Sequence, residues 1–183
     1  KGLPVAVAFP PQLVAMPFGK VIADAGLKQL RLAETEKYAH VTYFFNGGQE
    51  EAYADEDRLL IPSKKVESYA TVPEMSAREI TDRFLAEYQS GKYGFILLNF
   101  ANADMVGHTG DLTATVKAVE VIDECIGKIV EAVRHNNGIL TVTADHGNAE
   151  QKIDPGSGLP AKEHTANPVP FIIMDETRKR EKA

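Results

Sequence analysis

The sequence has one cysteine, Cys125, which excludes an internal disulfide and fits a reducing compartment such as the cytosol. No apolar run approaches the roughly 18 residues that a membrane-spanning helix requires. Positive charge is in the minority: 20 Lys and Arg stand against 26 Asp and Glu, a formal net charge of −6. A non-specific nucleic-acid or anionic-membrane surface needs the opposite balance, so neither is an expected partner. The chain opens on Lys1 and shows no basic, apolar and small-residue succession of a secretory leader. It has no internal repeat and no low-complexity tract. Near-average composition excludes disorder, collagen and coiled coil as whole-chain readings.

What is there is a chain of 183 residues, 44% hydrophobic, long enough to bury the continuous core of one domain or of part of a larger one. Val5 to Phe9 reads as a short strand stopped by Pro10-Pro11. Lys20 to Ala25 reads as a helix ended by Gly26. Gln29 to Ala33 reads as a strand with Leu30 and Leu32 on one face. Thr35 is placed to N-cap a helix from Glu36 to about Asn46, closed by Gly47-Gly48. Acidic residues and Pro62 mark a surface loop around Leu59-Leu60-Ile61. Ser76 and Glu79 have the spacing of a capping box, followed by Ile80, Phe84 and Tyr88 at helical spacing and stopped by Gly91.

Tyr93 to Phe100 is too continuously apolar for a half-exposed strand and reads as a buried parallel one. Leu112, Val116, Val119, Ile122, Ile126, Ile129 and Val133 predict a long helix with a wide apolar face. Gly138 to Thr143 predicts the next buried strand, and Val169 to Met174 a last one. Strand, helix, strand is a βαβ unit, so the fold class is α/β with a mostly parallel sheet flanked by helices. Glu176 to Ala183 reads as a charged tail.

Three groups of possible metal ligands fall where α/β proteins bind ligands, beyond the carboxyl ends of strands. Asp104 and His108 follow the Tyr93–Phe100 strand, Asp145 and His146 follow Gly138–Thr143, and His164 precedes the last strand. Carboxylate and neutral imidazole are usual ligands for Mn²⁺ or Zn²⁺. Asp-x-x-x-His alone is also the pattern of a loop hydrogen bond, and it is the repetition at successive strand ends that favours metal. Adjacent side chains on extended backbone point apart, so Asp145 and His146 either serve two neighbouring ions or divide into a ligand and the group that orients one. Lys37 opposes the dipole of the helix it opens, so either something else requires it there or it pairs with Glu34 or Glu36. Cys125 lies among apolar helix positions and reads as core. His40 reads as a helix-surface or paired core residue, and His135 as a cation in a helix's last turn.

With these residues in view, the chain resembles the cofactor-independent (2,3-bisphosphoglycerate-independent) phosphoglycerate mutases of the alkaline phosphatase superfamily. The resemblance runs nearly end to end. It is strongest over Gln29–Thr42, Pro73–Ala77, Asn102–Gly110, Thr143–Glu150 and His164–Pro170; Ala15-Met16-Pro17-Phe18 departs from it, where a more polar turn is expected. It implies an alkaline-phosphatase-like fold, with residues 1–175 a C-terminal segment of the metal-binding domain and 176–183 a tail. It implies an enzyme that interconverts 3- and 2-phosphoglycerate through a phosphoserine at a two-metal site, without 2,3-bisphosphoglycerate. Mn²⁺ is the expected ion, with Mg²⁺, Co²⁺ or Zn²⁺ as alternatives. Carried over, Asp104, His108 and His164 would hold one metal, and Asp145 and His146 would contribute to the other. Lys37 would contact the substrate phosphate or stabilise charge during transfer, with Asn102 and Asn148 as supports.

In that family the nucleophilic Ser, a further Asp ligand and the substrate-gripping arginines come from segments that have no match here. The expectation is therefore an incomplete sheet with an exposed edge, inactive and marginally soluble on its own. A cytoplasmic monomer acting on a small molecule is expected. The alternatives are a metal-dependent phosphatase or phosphopentomutase-like relative, or a non-catalytic fragment.

Overall fold

A computed structural model describes residues 8–9 and 14–177. The short strand expected over Val5 to Phe9 falls mostly outside them, as do Pro10-Pro11; Ala8 and Phe9 form a bend. Helix α1 (Phe18–Asp24) leads through Gly26, at φ 68°, into strand β1 (Gln29–Glu34). Strand β1 is the centre of a three-stranded parallel sheet in the order β2-β1-β3, with β2 at Glu56–Ile61 and β3 at Phe95–Leu98. All six β1 residues are buried, because α1 and α2 (Ala77–Gln89) pack on it as well as the two neighbouring strands. Leu32 packs with Ile80 and Phe84 of α2 and with Ile129 and Val133 of α4 (Leu112–His135), the main apolar core.

Several expectations are corrected. The surface loop around Leu59-Leu60-Ile61 is strand β2, in parallel register with β1 from Gln29↔Glu56 to Glu34↔Ile61. Its acidic residues are used: Glu56 is buried and accepts from Asn46 at 2.7 Å and Arg58 at 2.6 Å. The regular helix from Glu36 to Asn46 is a 3₁₀ turn (Thr35–Lys37) followed by a widened π-helical turn (His40–Phe44). Thr35 does not cap it; the Thr35 hydroxyl accepts from the Ser63 amide instead. Ser76 does stand at the N-cap of α2, but without the box: its hydroxyl donates to the Pro62 carbonyl at 3.0 Å, and Glu79 pairs with Lys64.

Helix α4 is turned relative to the expected face. It buries Ala114, Thr115, Ala118, Val121, Cys125, Ile129 and Val133, and exposes Leu112, Val116 and Val119. The small side chains Ala114 and Ala118 let it lie close against α3 (Asn102–Gly107), while Val121 to Val133 pack on α2, and the two contacts together set the rotation. The βαβ unit expected from β3, α4 and the next strand does not close. Strand β4 (Leu140–Thr143) is not paired with β3 but lies antiparallel to β5 (Phe171–Met174), with Leu140 opposite Met174. Strands β3, β4 and β5 are only half-buried or exposed, not buried as their apolar runs suggest. The architecture is nonetheless α/β, a parallel sheet with flanking helices. Of the expected tail, Glu176 accepts from Arg134 at 2.9 Å, and residues 178–183 lie outside the described part. Among the described residues no helix is long and apolar enough to cross a membrane.

Candidate metal centre

The carboxyl ends of β1, β3 and β4 deliver their loops to one place. After β1, the 3₁₀ turn carries Lys37, buried, with its ammonium donating to Asp104 Oδ2 at 2.5 Å. After β3, α3 carries Asp104 in its first turn and His108 at its C-cap. The i, i+4 spacing puts the two on one helix face, with His108 Nε2 at 3.1 Å from Asp104 Oδ1. After β4 come Asp145 and His146. A bridge between Gly147 and Thr165, with the Thr165 amide donating to the Gly147 carbonyl at 2.9 Å, brings His164 alongside.

The donor atoms converge. His164 Nε2 lies 3.0 Å from Asp104 Oδ1 and 3.1 Å from His108 Nε2. Two atoms bound about 2.1 Å from one ion, at angles of about 90–109°, stand about 3.0–3.4 Å apart, so this triangle has the spacing a small divalent cation needs. The tautomer fits too. His108 Nδ1 is 2.6 Å from the Lys162 carbonyl, which only accepts, so the proton sits on Nδ1 and Nε2 keeps its lone pair toward the cluster. Burial alone would push the Asp104 carboxyl up, but the hydrogen bonds from Lys37 and Asn148 and the neighbouring cationic charge outweigh it and hold it at about 2. The site therefore presents a carboxylate and two imidazoles, a donor set that suits a divalent metal.

Of the expected second group, His146 abuts the first. Its ring stacks on that of His164 at 3.6 Å, and Asp104, His146 and His164 offer donor atoms all within 4.8 Å of one another. Asp145 is more peripheral, its side chain 54% exposed and its carboxylate 3.6 Å from His146 Nε2. Lys37 pairs with Asp104 and with neither Glu34 nor Glu36 among its described ion pairs. Of the expected supports, Asn148 is buried and donates to Asp104 Oδ1 at 2.9 Å, whereas Asn102 donates to the Pro73 carbonyl and holds α3 in place.

Residues 7–183 match the profile of the metalloenzyme superfamily. The chain belongs to that superfamily. Within it, the chain is 60% identical over 174 residues, 95% of its length, to a 2,3-bisphosphoglycerate-independent phosphoglycerate mutase of Moorella thermoacetica. It is 58% identical over 172 residues, 94% of its length, to such an enzyme of Methanosarcina barkeri. Each match covers 33% of the relative, so the chain spans about a third of the length of the curated relatives it matches. Among solved structures it is similar to Leishmania mexicana phosphoglycerate mutase determined at low cobalt concentration, with a TM-score of 0.79 and 38% identity over 84% of this chain and 30% of that one. The chain thus shares the α/β, alkaline-phosphatase-like fold of that phosphoglycerate mutase.

Three residues near the cluster escaped sequence reasoning. His40 is half-buried, its Nδ1 without a hydrogen-bond partner, and close enough to Lys37, Asp145, Asp104 and His146 to feel their charges; burial foremost pushes it down. Its separation of three residues from Lys37 was the available signal. Lys152 is buried and donates to the Gly107 carbonyl at 3.0 Å and to Asn148, and burial pushes its ammonium down. Glu150 joins the loops of His146 and His164. The last two act across spacings that carry no periodic signal.

Proposed function

We propose that this chain supplies the metal-binding part of a phosphoglycerate mutase that interconverts 3- and 2-phosphoglycerate through a phosphoserine and needs no 2,3-bisphosphoglycerate. The observation that carries the reading is the triangle of Asp104 Oδ1, His108 Nε2 and His164 Nε2 at 3.0–3.1 Å, in a chain 60% identical to an enzyme so named. In this reading Asp104, His108 and His164 hold one divalent cation and Asp145 and His146 border a second, with Mn²⁺ as the ion. Cations bound there would offset charge on the phosphoryl oxygens during transfer.

The chain's own residues do the remaining work. Lys37 directs its ammonium at the Asp104 carboxylate and has further N–H groups for a phosphate oxygen. Asn148 fixes the Asp104 carboxylate from the other oxygen. His108, anchored through Nδ1 on the Lys162 carbonyl, keeps one orientation. The nucleophilic serine and the groups that grip the substrate would come from the two thirds of the relatives' length that this chain does not span. The cytoplasm and a monomeric state complete the proposal, supported by the single Cys and the acidic balance.

The test uses the full-length protein. Mn²⁺ content and conversion of 3- to 2-phosphoglycerate are measured for the wild type, His108→Ala and His164→Ala, alongside a panel of other phosphomonoesters. Loss of metal and of mutase activity in both variants is expected. Unchanged metal content in both, or phosphate release from the panel without mutase activity, would overturn the reading.

A further inference from the structure

His146 and His164 are 18 residues apart in the connection between β4 and β5, beyond the end of that pair where Thr143 faces Phe171. Beyond the Gly147–Thr165 bridge and a 3.3 Å bond from Asn167 Nδ2 to Gln151 Oε1, the Glu150 carboxylate ties the two stretches together. Glu150 Oε2 accepts from the Asn148 amide at 2.6 Å, and Oε1 accepts from the Thr165 hydroxyl and from Asn167 Nδ2, the latter at 2.9 Å. Asn148 donates to Asp104 Oδ1, and Thr165 is the neighbour of His164, so two of this carboxylate's three partners are one step from the cluster.

We infer that Glu150 is a positioning residue: its carboxylate buckles the His146 loop to the His164 loop and so fixes the spacing of the imidazoles at the metal centre. The inference rests on the proposed metal site and goes beyond it by naming what sets its geometry. Glu150 reaches no donor atom of the cluster. It acts through backbone and hydroxyl groups, which is why its exposed side chain gives no sign of a ligand. Three donors satisfy two oxygens, an arrangement that favours the ionised form; the Thr165 hydrogen bond foremost, with the others, holds the carboxyl at about 2. It is therefore charged and buckled throughout the neutral range.

Groups that orient metal ligands typically change metal affinity by about 10- to 100-fold when removed. In the full-length protein, Glu150→Ala is expected to raise the Mn²⁺ dissociation constant by about that factor and to shift the ligand-field bands of the Co²⁺-loaded protein. Glu150→Gln keeps one acceptor for Thr165 and Asn167 and should fall nearer the wild type. Thr165→Val removes a donor without altering charge. It should weaken Mn²⁺ on its own and add little in the Glu150→Ala background, because both changes open the same buckle. Thr165→Val also keeps the inference testable if Glu150→Ala does not fold. Wild-type affinity in Glu150→Ala, equal losses in the Gln and Ala variants, or fully additive losses with Thr165→Val would each overturn it. His164→Ala run in parallel separates the two failures: metal lost there but retained in Glu150→Ala sinks the buckle alone, and metal retained in both sinks the site.

Discussion

The half of the molecule around β1 and the half around β4 and β5 invert the usual rule: β1, half of it polar, is buried throughout, whereas the wholly apolar β5 is largely exposed. In β1, Leu30, Leu32 and Ala33 have no exposed surface, and Gln29, Arg31 and Glu34 are buried beside them. Arg31 lies 4.7 Å from the Phe45 ring and 5.5 Å from that of Phe95, and burial lowers its pKa to about 10. In β5, Phe171, Ile172 and Ile173 are 68%, 56% and 58% exposed, and Ile139, just before β4, is 63% exposed. A strand's own hydrophobicity therefore does not decide its burial; the number of elements packed on it does. The metal cluster straddles the seam, with Lys37 and Asp104 from the well-packed half and His146 and His164 from the uncovered one.

The largest test of that contrast is truncation in each half. Leu32→Ala should cost about 2–5 kcal/mol in urea unfolding of this chain, whereas Ile172→Ala should change it by less than about 1 kcal/mol. Equal losses would erase the distinction. The comparison sharpens in the full-length protein: if the remaining two thirds cover β5, Ile172→Ala there should become costly, by about 1–3 kcal/mol, read from the shift in unfolding midpoint. A smaller effect is expected at the junction of β2 and α2. Ser76→Ala removes the bond to the Pro62 carbonyl and should cost about 0.5–1.5 kcal/mol by the same measurement.

The acid response of the seam is a further test. The folded Asp104 carboxyl is held at about 2 against an ordinary 3.8. Between those values the unfolded chain binds the extra proton, so stability is full above the ordinary value and declines as pH falls through about 2. Metal-free Asp104→Asn should lose stability less steeply from pH 5 to pH 3 than the parent, followed by denaturant midpoints. Parallel slopes would remove Asp104 as a source of acid sensitivity.

The sequence made the elements with strong local signals legible: β1, α2, β3 and α4 lie where periodicity and glycine stops put them. It hid β2, because Glu56, Asp57 and Arg58 look like a polar loop until their buried partners are known. The rotation of α4 was hidden as well, since apolar side chains cover more than half its circumference and its contacts with α3 and α2 select which stripe is buried. Asp104, His108, Asp145, His146 and His164 stood out because each follows or precedes an apolar run. Glu150 and Lys152 did not, because their partners Thr165 and Gly107 are 15 and 45 residues away.

The stretches that carry His146 and His164 meet side by side at Gly147. A methyl group built on that residue would run into both the Thr165 hydroxyl and the Glu150 carboxylate, and one on Gly107 would run into the Asn148 amide. The joint between the loops is closed to the width of a hydrogen atom. A side chain at either position would have to push these groups aside, opening at Gly147 the Glu150 bonds between the two stretches and at Gly107 the Asn148 side chain that holds Asp104.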